Sequence, residues 1–199
     1  METIEELAHA FEKFPGIGPR QAKRFVYHLL SVGSPDRNYL AKLIDAIGVS
    51  VHQCAECKRF ANIKGPVCNY CSDRSRDDSL LMILEKDQDL SAIERAGTYK
   101  GRYFVLGGVL TLSGKGVIRD KDLIASIEKR LTGGLKEAVL ALSATSEGEH
   151  TADHLRALLG PFRDHLRITM LGRGLATGSE LEYSDPETLR GALQNRKET

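Results

Sequence analysis

Hydrophobic and polar positions along the chain fall into three rhythms. Over the first fifty residues apolar side chains recur every three or four positions, in Glu5–Lys13, Pro19–Leu30 and Arg37–Val49. That spacing predicts three helices, broken by Phe14-Pro15-Gly16-Ile17-Gly18 and by Gly33-Ser34-Pro35. From about residue 53 to 78 the rhythm is lost and apolar content is low. From Ser79 onward short apolar runs (Leu80–Leu84, Tyr103–Leu106, Ala138–Leu142 and Arg167–Met170) alternate with helical patterns (Asp87–Ala96, Lys121–Leu131 and Thr151–Leu159). Strand alternating with helix predicts a mostly parallel α/β sheet. Asp185-Pro186 opens a last helix, with Asp as N-cap and Pro in the first turn. The expected organisation is a helical module over 1–52, a cysteine module over 53–78, an α/β domain over 79–175 and a C-terminal segment over 176–199. No repeat of 20–50 residues is present.

Composition narrows the classes. The chain has 199 residues, 41% of them apolar, enough for a real core. No apolar run reaches the ~18 residues of a membrane span, and Met1-Glu2-Thr3-Ile4-Glu5-Glu6 is acidic where a secretory signal starts basic. A cytoplasmic protein with reduced cysteines and no membrane partner is expected. Net charge is only +1, but Lys13 to Arg76 holds eleven Lys and Arg against four Asp and Glu. A cationic front on an acidic body points to a polyanion contact at the front.

Phe14-Pro15-Gly16-Ile17-Gly18-Pro19 is the most informative run there. Two glycines around one aliphatic residue let the backbone turn tightly and expose its N–H groups. Ile17 can plug between the helices, and Pro19 suits the first turn of the second, whose free N–H groups attract an anion. Ala22, Phe25, Val26 and Leu29 define a buried face. Arg20, Lys23 and Arg24 cluster on the other. The layout is that of a helix-hairpin-helix in which Gly16, Ile17, Gly18, Arg20, Lys23 and Arg24 hold phosphates and position the backbone without reading bases. The competing reading is a core helical turn with a solvated charged face.

Cys54-x2-Cys57 and Cys68-x2-Cys71 are two knuckles ten residues apart. Two such pairs complete a tetrahedral set of four sulfurs, the closed geometry of one structural Zn²⁺ per chain. A redox pair needs only one knuckle. His52 is surplus. The module is too small and polar to fold on burial alone, so the metal is expected to stabilise it directly.

A third constellation sits at strand ends, where α/β sheets place ligand sites. Glu85 follows the first apolar run, Asp89 lies four residues on, and Glu147-Gly148-Glu149 follows the third. These carboxylates can act as helix caps, form an acidic partner-docking face, or converge on Mg²⁺. They resemble the Toprim domain of topoisomerases, primases and some nucleases, which uses one Glu with an Asp-x-Asp pair. Here the pair is Glu-x-Glu. His150 and His154 lack the Glu of a zinc helix and read as surface histidines. Gly108–Gly116 fails as a P-loop, since five residues precede Gly114-Lys115 and Gly116 stands in the Ser/Thr place. Gly172, Gly174 and Gly178 miss dinucleotide spacing.

In this order, helix-hairpin-helix, four-cysteine module and Toprim-like domain resemble the RecR family across nearly the whole chain. The runs that carry the likeness include Phe14–Pro19, the two knuckles, Gly101-Arg102-Tyr103-Phe104-Val105-Leu106, Glu147-Gly148-Glu149-x-Thr151-Ala152, and Gly178-x-Glu180-Leu181-Glu182-Tyr183. The family usually has Asn-Pro at Ser143-Ala144, alanine at His150, proline at Ala176 and glycine at Ser179. The resemblance implies a non-enzymatic recombination mediator in bacterial DNA repair, associated with the nucleoid. It implies a homo-oligomeric ring, commonly a tetramer large enough to surround duplex DNA, that binds single- and double-stranded DNA and works with RecO and RecF to load a recombinase. It also implies that Arg20 and Arg24, with Lys23, contact DNA, that Glu147 and Glu149 belong to the face engaging RecO, an acidic partner-binding face that includes Glu85 and Asp89, and that Gly178–Tyr183 supports subunit contacts. Two other functions compete: a Mg²⁺-dependent Toprim nuclease or primase, and a zinc-ribbon module that binds protein.

Overall fold

The structure, a computed structural model, describes residues 2–196 and divides into two compact units, Met1–His52 and Gln53–Thr199. In the first unit α1 (Thr3–Glu12) and α2 (Pro19–Ser31) pack through Ala8, Ala22 and Val26, with Ile4, Phe11 and Ile17 closing the edges. The small alanines allow close approach, and Phe11 meets Phe25 edge to face, ring centroids 5.6 Å apart. Of the expected buried face, Ala22 and Val26 are sealed, while Phe25 and Leu29 are half-buried. The third helix, α3 (Ser34–Ser50), buries none of its residues; Tyr39, Ile44, Ile47 and Val49 are each at least 60% exposed.

The second unit opens with the cysteine segment: β1 (Val51–Gln53), which begins just before it, β2 (Phe60–Asn62) and the single turn α4 (Asn69–Ser72). It continues as β3 (Asp77–Leu84), α5 (Asp87–Ala96), β4 (Gly101–Val105), α6 (Asp120–Thr132), β5 (Glu137–Ala141), α7 (Ser146–Leu158), β6 (Arg167–Met170) and α8 (Pro186–Gln194). The four long strands form one parallel sheet in the order β4-β3-β5-β6. The alternation of a strand then sorts its side chains between two cores. Leu81, Ile83, Phe104, Ala138 and Leu140 face α6 and α7, where Leu123, Ile127, Ala152, Leu155 and Leu159 meet them. Met82, Leu84, Tyr103, Val105 and Ala141 face the other way, toward Leu90 of α5 and Cys54, Cys57 and Cys68.

That second core changes the picture drawn from the pattern. The cysteine segment looked like a polar module standing alone; it is a lid over one face of the sheet. Glu56 accepts from Lys129 at 2.5 Å and Arg130 at 3.4 Å, and Lys58 pairs with Asp122 at 2.8 Å, so the lid grips α6. Asp87 at the start of α5 accepts from the Phe60 amide at 2.8 Å. The edge strand β4 donates its Val105 amide to the Cys57 carbonyl at 2.8 Å, so the first knuckle also caps the sheet edge. α7 starts five residues before the periodicity indicates. Its first turn, Ser146–His150, carries no apolar residue to mark it, and the Thr145 hydroxyl caps it by accepting from Gly148 N at 3.1 Å.

Candidate metal centre and nucleic-acid interface

Both knuckles present their sulfurs to one point. One ligand atom from each of Cys54, Cys57, Cys68 and Cys71 lies within 4.8 Å of all the others; the first three residues are buried and Cys71 is half-buried. Cys57 Sγ and Cys68 Sγ are 3.6 Å apart, far beyond the ~2.05 Å of a disulfide, and all four cysteines are free. A tetrahedral ion with sulfur bonds of about 2.3 Å separates its sulfurs by roughly 3.8 Å, so the spacing fits such an ion. Backbone supplies the turns: Lys58 sits at φ 63°, and its amide returns to the Cys54 carbonyl at 3.0 Å. The Cys68 amide points at Cys54 Sγ at 3.3 Å, as a donor to a thiolate should. Cys57 is pushed up by its hydrogen bond to Cys68, by Cys71 and by burial, while the same Cys57 contact, then Cys71, pulls Cys68 down.

Arginines outside the motif hold this centre. Arg102, on β4 and 8% exposed, donates through Nη1 to the carbonyls of Tyr70 and Cys71, both at 3.1 Å, and through Nε to Asp78 at 2.7 Å. Arg76 donates to Glu94 and to the Gly101 carbonyl, and its guanidinium lies 4.8 Å from the Tyr70 ring centroid; that of Arg59 lies 4.9 Å away. Burial and the contact with Glu94 push the Tyr103 hydroxyl up, so it remains a neutral donor to that carboxylate. Spacing arguments missed Arg102. Its signal was present: a charge inside the apolar strand Gly101–Val105 must have a dedicated partner.

In the first unit the glycine bend is open. Gly16 has φ 78°, a left-handed conformation suited to glycine. Ile17 is half-buried against the α1–α2 core, and its amide returns to the Phe14 carbonyl at 3.1 Å. The amides of Gly16, Gly18, Arg20 and Gln21 have no hydrogen-bond partner among the described residues. Gly18 is the N-cap of α2, and no acidic residue occupies the first turn. Arg20, Lys23 and Arg24 are exposed and form no ion pair among the described residues; Arg24 touches only Gln21, at 3.3 Å. Free amides, a helix N-terminus and three uncommitted cations therefore share one exposed corner, the arrangement that binds an anion.

The strand-end carboxylates are divided. Glu85 is 5% exposed and gives both oxygens to Ser143, accepting from its amide at 2.5 Å and its hydroxyl at 2.9 Å. Asp89 accepts from the Lys86 amide at 3.0 Å as part of a capping box. Glu149 pairs with Arg173. Glu147 stands in the first turn of α7, lining with Glu149, Asp153 and Asp185 a cleft of about 1080 Å³. Among the described residues, the cysteine set is the only group of three or more potential ligands gathered closely enough to hold a metal ion. His154 is tied to Asp120 at 2.9 Å. No helix among the described residues is long and apolar enough to cross a membrane.

Three family models match the chain. Residues 4–48 match the RecR helix-hairpin-helix, 79–171 the Toprim domain and 174–197 the RecR C-terminal region, flanking the cysteine segment on both sides. The chain is 36% identical to Recombination protein RecR of Chlorobaculum tepidum over 197 residues, 98% of this chain and 96% of that one. It is 36% identical to the protein of that name from Lacticaseibacillus casei over 201 residues, covering 99% and 98%. With that of Prochlorococcus marinus it shares 39% over 188 residues, covering 94% and 96%.

Proposed function

The chain belongs to the RecR family, whose members named above are recombination proteins, and from that premise we propose that it is a non-enzymatic, sequence-nonspecific DNA clamp and adaptor. The observation that carries the reading is the open corner of the first unit. Amides of the Gly16–Gly18 bend take one phosphate, and Arg20, Lys23 and Arg24 hold its neighbours. Such contacts gain affinity from counterion release and carry no base information.

The four cysteines hold one structural Zn²⁺ per chain, all four positions filled by sulfur, leaving none for chemistry. Its work is architectural: it fixes the lid over the sheet. The exposed apolar residues of α3, Tyr39, Ile44, Ile47 and Val49, are best covered by another copy of the chain, which supports a homo-oligomer, in the family likeness a tetrameric ring. Several weak corners acting together then hold DNA firmly. Of the strand-end carboxylates, Glu147 and Glu149 line the cleft and, together with Asp89, would engage RecO, while Glu85 braces the strand ends through Ser143. RecF is the second partner in this reading, and the outcome is recombinase loading.

The test is anisotropy with mixed-sequence single- and double-stranded oligonucleotides over a salt series, using wild type and Arg20→Ala/Arg24→Ala. Wild type should bind both DNAs and weaken steeply with salt. The variant should bind far more weakly, with a log–log salt slope on duplex shallower by about 0.9 for each phosphate it no longer neutralises. Its circular dichroism and metal content should be unchanged. Equal affinity and slope for the two proteins would remove the reading.

A further inference from the structure

The sheet ends at β6, and nothing among the described residues pairs with its outer side. The amides of Arg167 and Leu171 donate inward, to Lys136 and Leu140. Strand alternation therefore turns the N–H and C=O of Ile168 and Met170 outward, and no hydrogen bond of the described residues engages them. A shallow groove of about 500 Å³ runs along this edge, lined by Leu166, Ile168, Thr169 and Met170 and by three arginines, Arg156, Arg163 and Arg167. Arg156 and Arg167 have carboxylate partners in Asp153 and Glu137; Arg163 is exposed and has none among the described residues.

We propose that the open edge of β6 is a strand-addition site for an extended, acidic segment of a partner protein. An unpaired edge displays donors and acceptors in alternation, which a peptide backbone satisfies together. A DNA backbone offers acceptors only and would leave the outward carbonyls of Ile168 and Met170 unmatched. A second copy pairing edge to edge would bring the arginines of two chains together, a like-charge arrangement that opposes association. Arg163, the one of the three without a carboxylate partner among the described residues, selects instead for Asp or Glu beside the added strand, and the half-buried Ile168 and Met170 supply apolar contact. This site is separate from the DNA-binding corner of the first unit and does not depend on it.

The probe is a fluorescein-labelled peptide alternating Glu with Val and Ile, titrated onto the full-length, metal-loaded protein. Its controls are the same peptide with a central Pro, a version with Lys for Glu, and a dT oligonucleotide. The acidic peptide should bind and slow hydrogen exchange at the Ile168 and Met170 amides. The Pro and Lys versions should bind at least about tenfold more weakly, the first lacking a ladder donor and the second the charge match. Arg163→Glu, on the surface, should weaken the acidic peptide about tenfold while leaving the melting temperature unchanged. Ile168→Pro removes the outward donor at an edge position where Pro is tolerated and should abolish protection; the Arg163 variant carries the test if that protein misfolds. The proposal is overturned if the acidic peptide leaves both amides unprotected at saturating concentration, if the Lys or Pro peptide binds equally well, or if the oligonucleotide is what protects this edge.

Discussion

Arg102 offers the sharpest check on how the sheet and the cysteine centre support each other. In Arg102→Ala, the carbonyls of Tyr70 and Cys71 lose their shared donor, and Asp78 loses its partner. A hydrogen bond from a charged donor contributes about 1.5–3 kcal/mol. Two of them, plus at most about 1 kcal/mol from the largely exposed Asp78, give about 3–7 kcal/mol. For a chain of this size each kcal/mol moves the melting temperature by about 2–4 °C, so a fall of roughly 6–28 °C is expected. Because both freed carbonyls belong to the second knuckle, metal retention should suffer as well. The assay is thermal unfolding of the metal-loaded protein, paired with the rate at which a chromogenic chelator strips the ion. Arg102→Lys should not rescue, since an ammonium lacks the planar fork that reaches three acceptors. A melting point within about 2 °C of wild type, with unchanged metal release, would show that the arginine does not couple strand to knuckle.

Three further outcomes follow from the same geometry. Metal removal should uncover Met82, Leu84, Tyr103 and Val105; at about 1.5–3 kcal/mol per large side chain, loss of even half that burial costs on the order of 5 kcal/mol, seen as dye binding and a melting point lower by roughly 10–20 °C. Gly148→Ala places a Cβ 2.0 Å from the Ser143 carbonyl oxygen, so the first turn of α7 must shift; a loss of about 3 kcal/mol or more is expected in denaturant unfolding. Asp185 caps α8 by accepting from the Thr188 amide and hydroxyl and the Glu187 amide, hydrogen bonds that hold its carboxyl below the usual range. Its folded value is depressed, so the cap is at full strength above the ordinary value near 4 and fades as pH falls through the lower folded one; amide protection factors in Leu189–Gln194, normalised to the intrinsic exchange rate at each pH, should fall across that window and stay flat from pH 5 to 7.

The local elements were legible because each carries its own signal. Apolar periodicity marked α1, α2, α5 and α6 to within a few residues, and Asp185-Pro186 marked α8. The paired Cys-x2-Cys spacings located the four sulfurs that are gathered closely enough to hold a metal ion, since two residues between ligands suffice to aim both at one point. The proposal that Gly16–Gly18 and Arg20 hold phosphate could be framed from residue types alone. It was the chain's packing that showed those cations exposed and uncommitted.

What the fold alone decided is which groups separated in sequence spend their bonding on each other. Glu85 and Ser143 are 58 residues apart, and no periodicity reports that one carboxylate is consumed bracing two strand ends. Likewise, polarity made residues 53–78 look independent, although Cys54, Cys57 and Cys68 lie in the same core as Met82 and Val105. A sequence pattern records the face each side chain turns within its own element. Strand order and the arrival of a distant segment determine what covers that face, and those depend on the free energy of the whole unit rather than on any stretch of it.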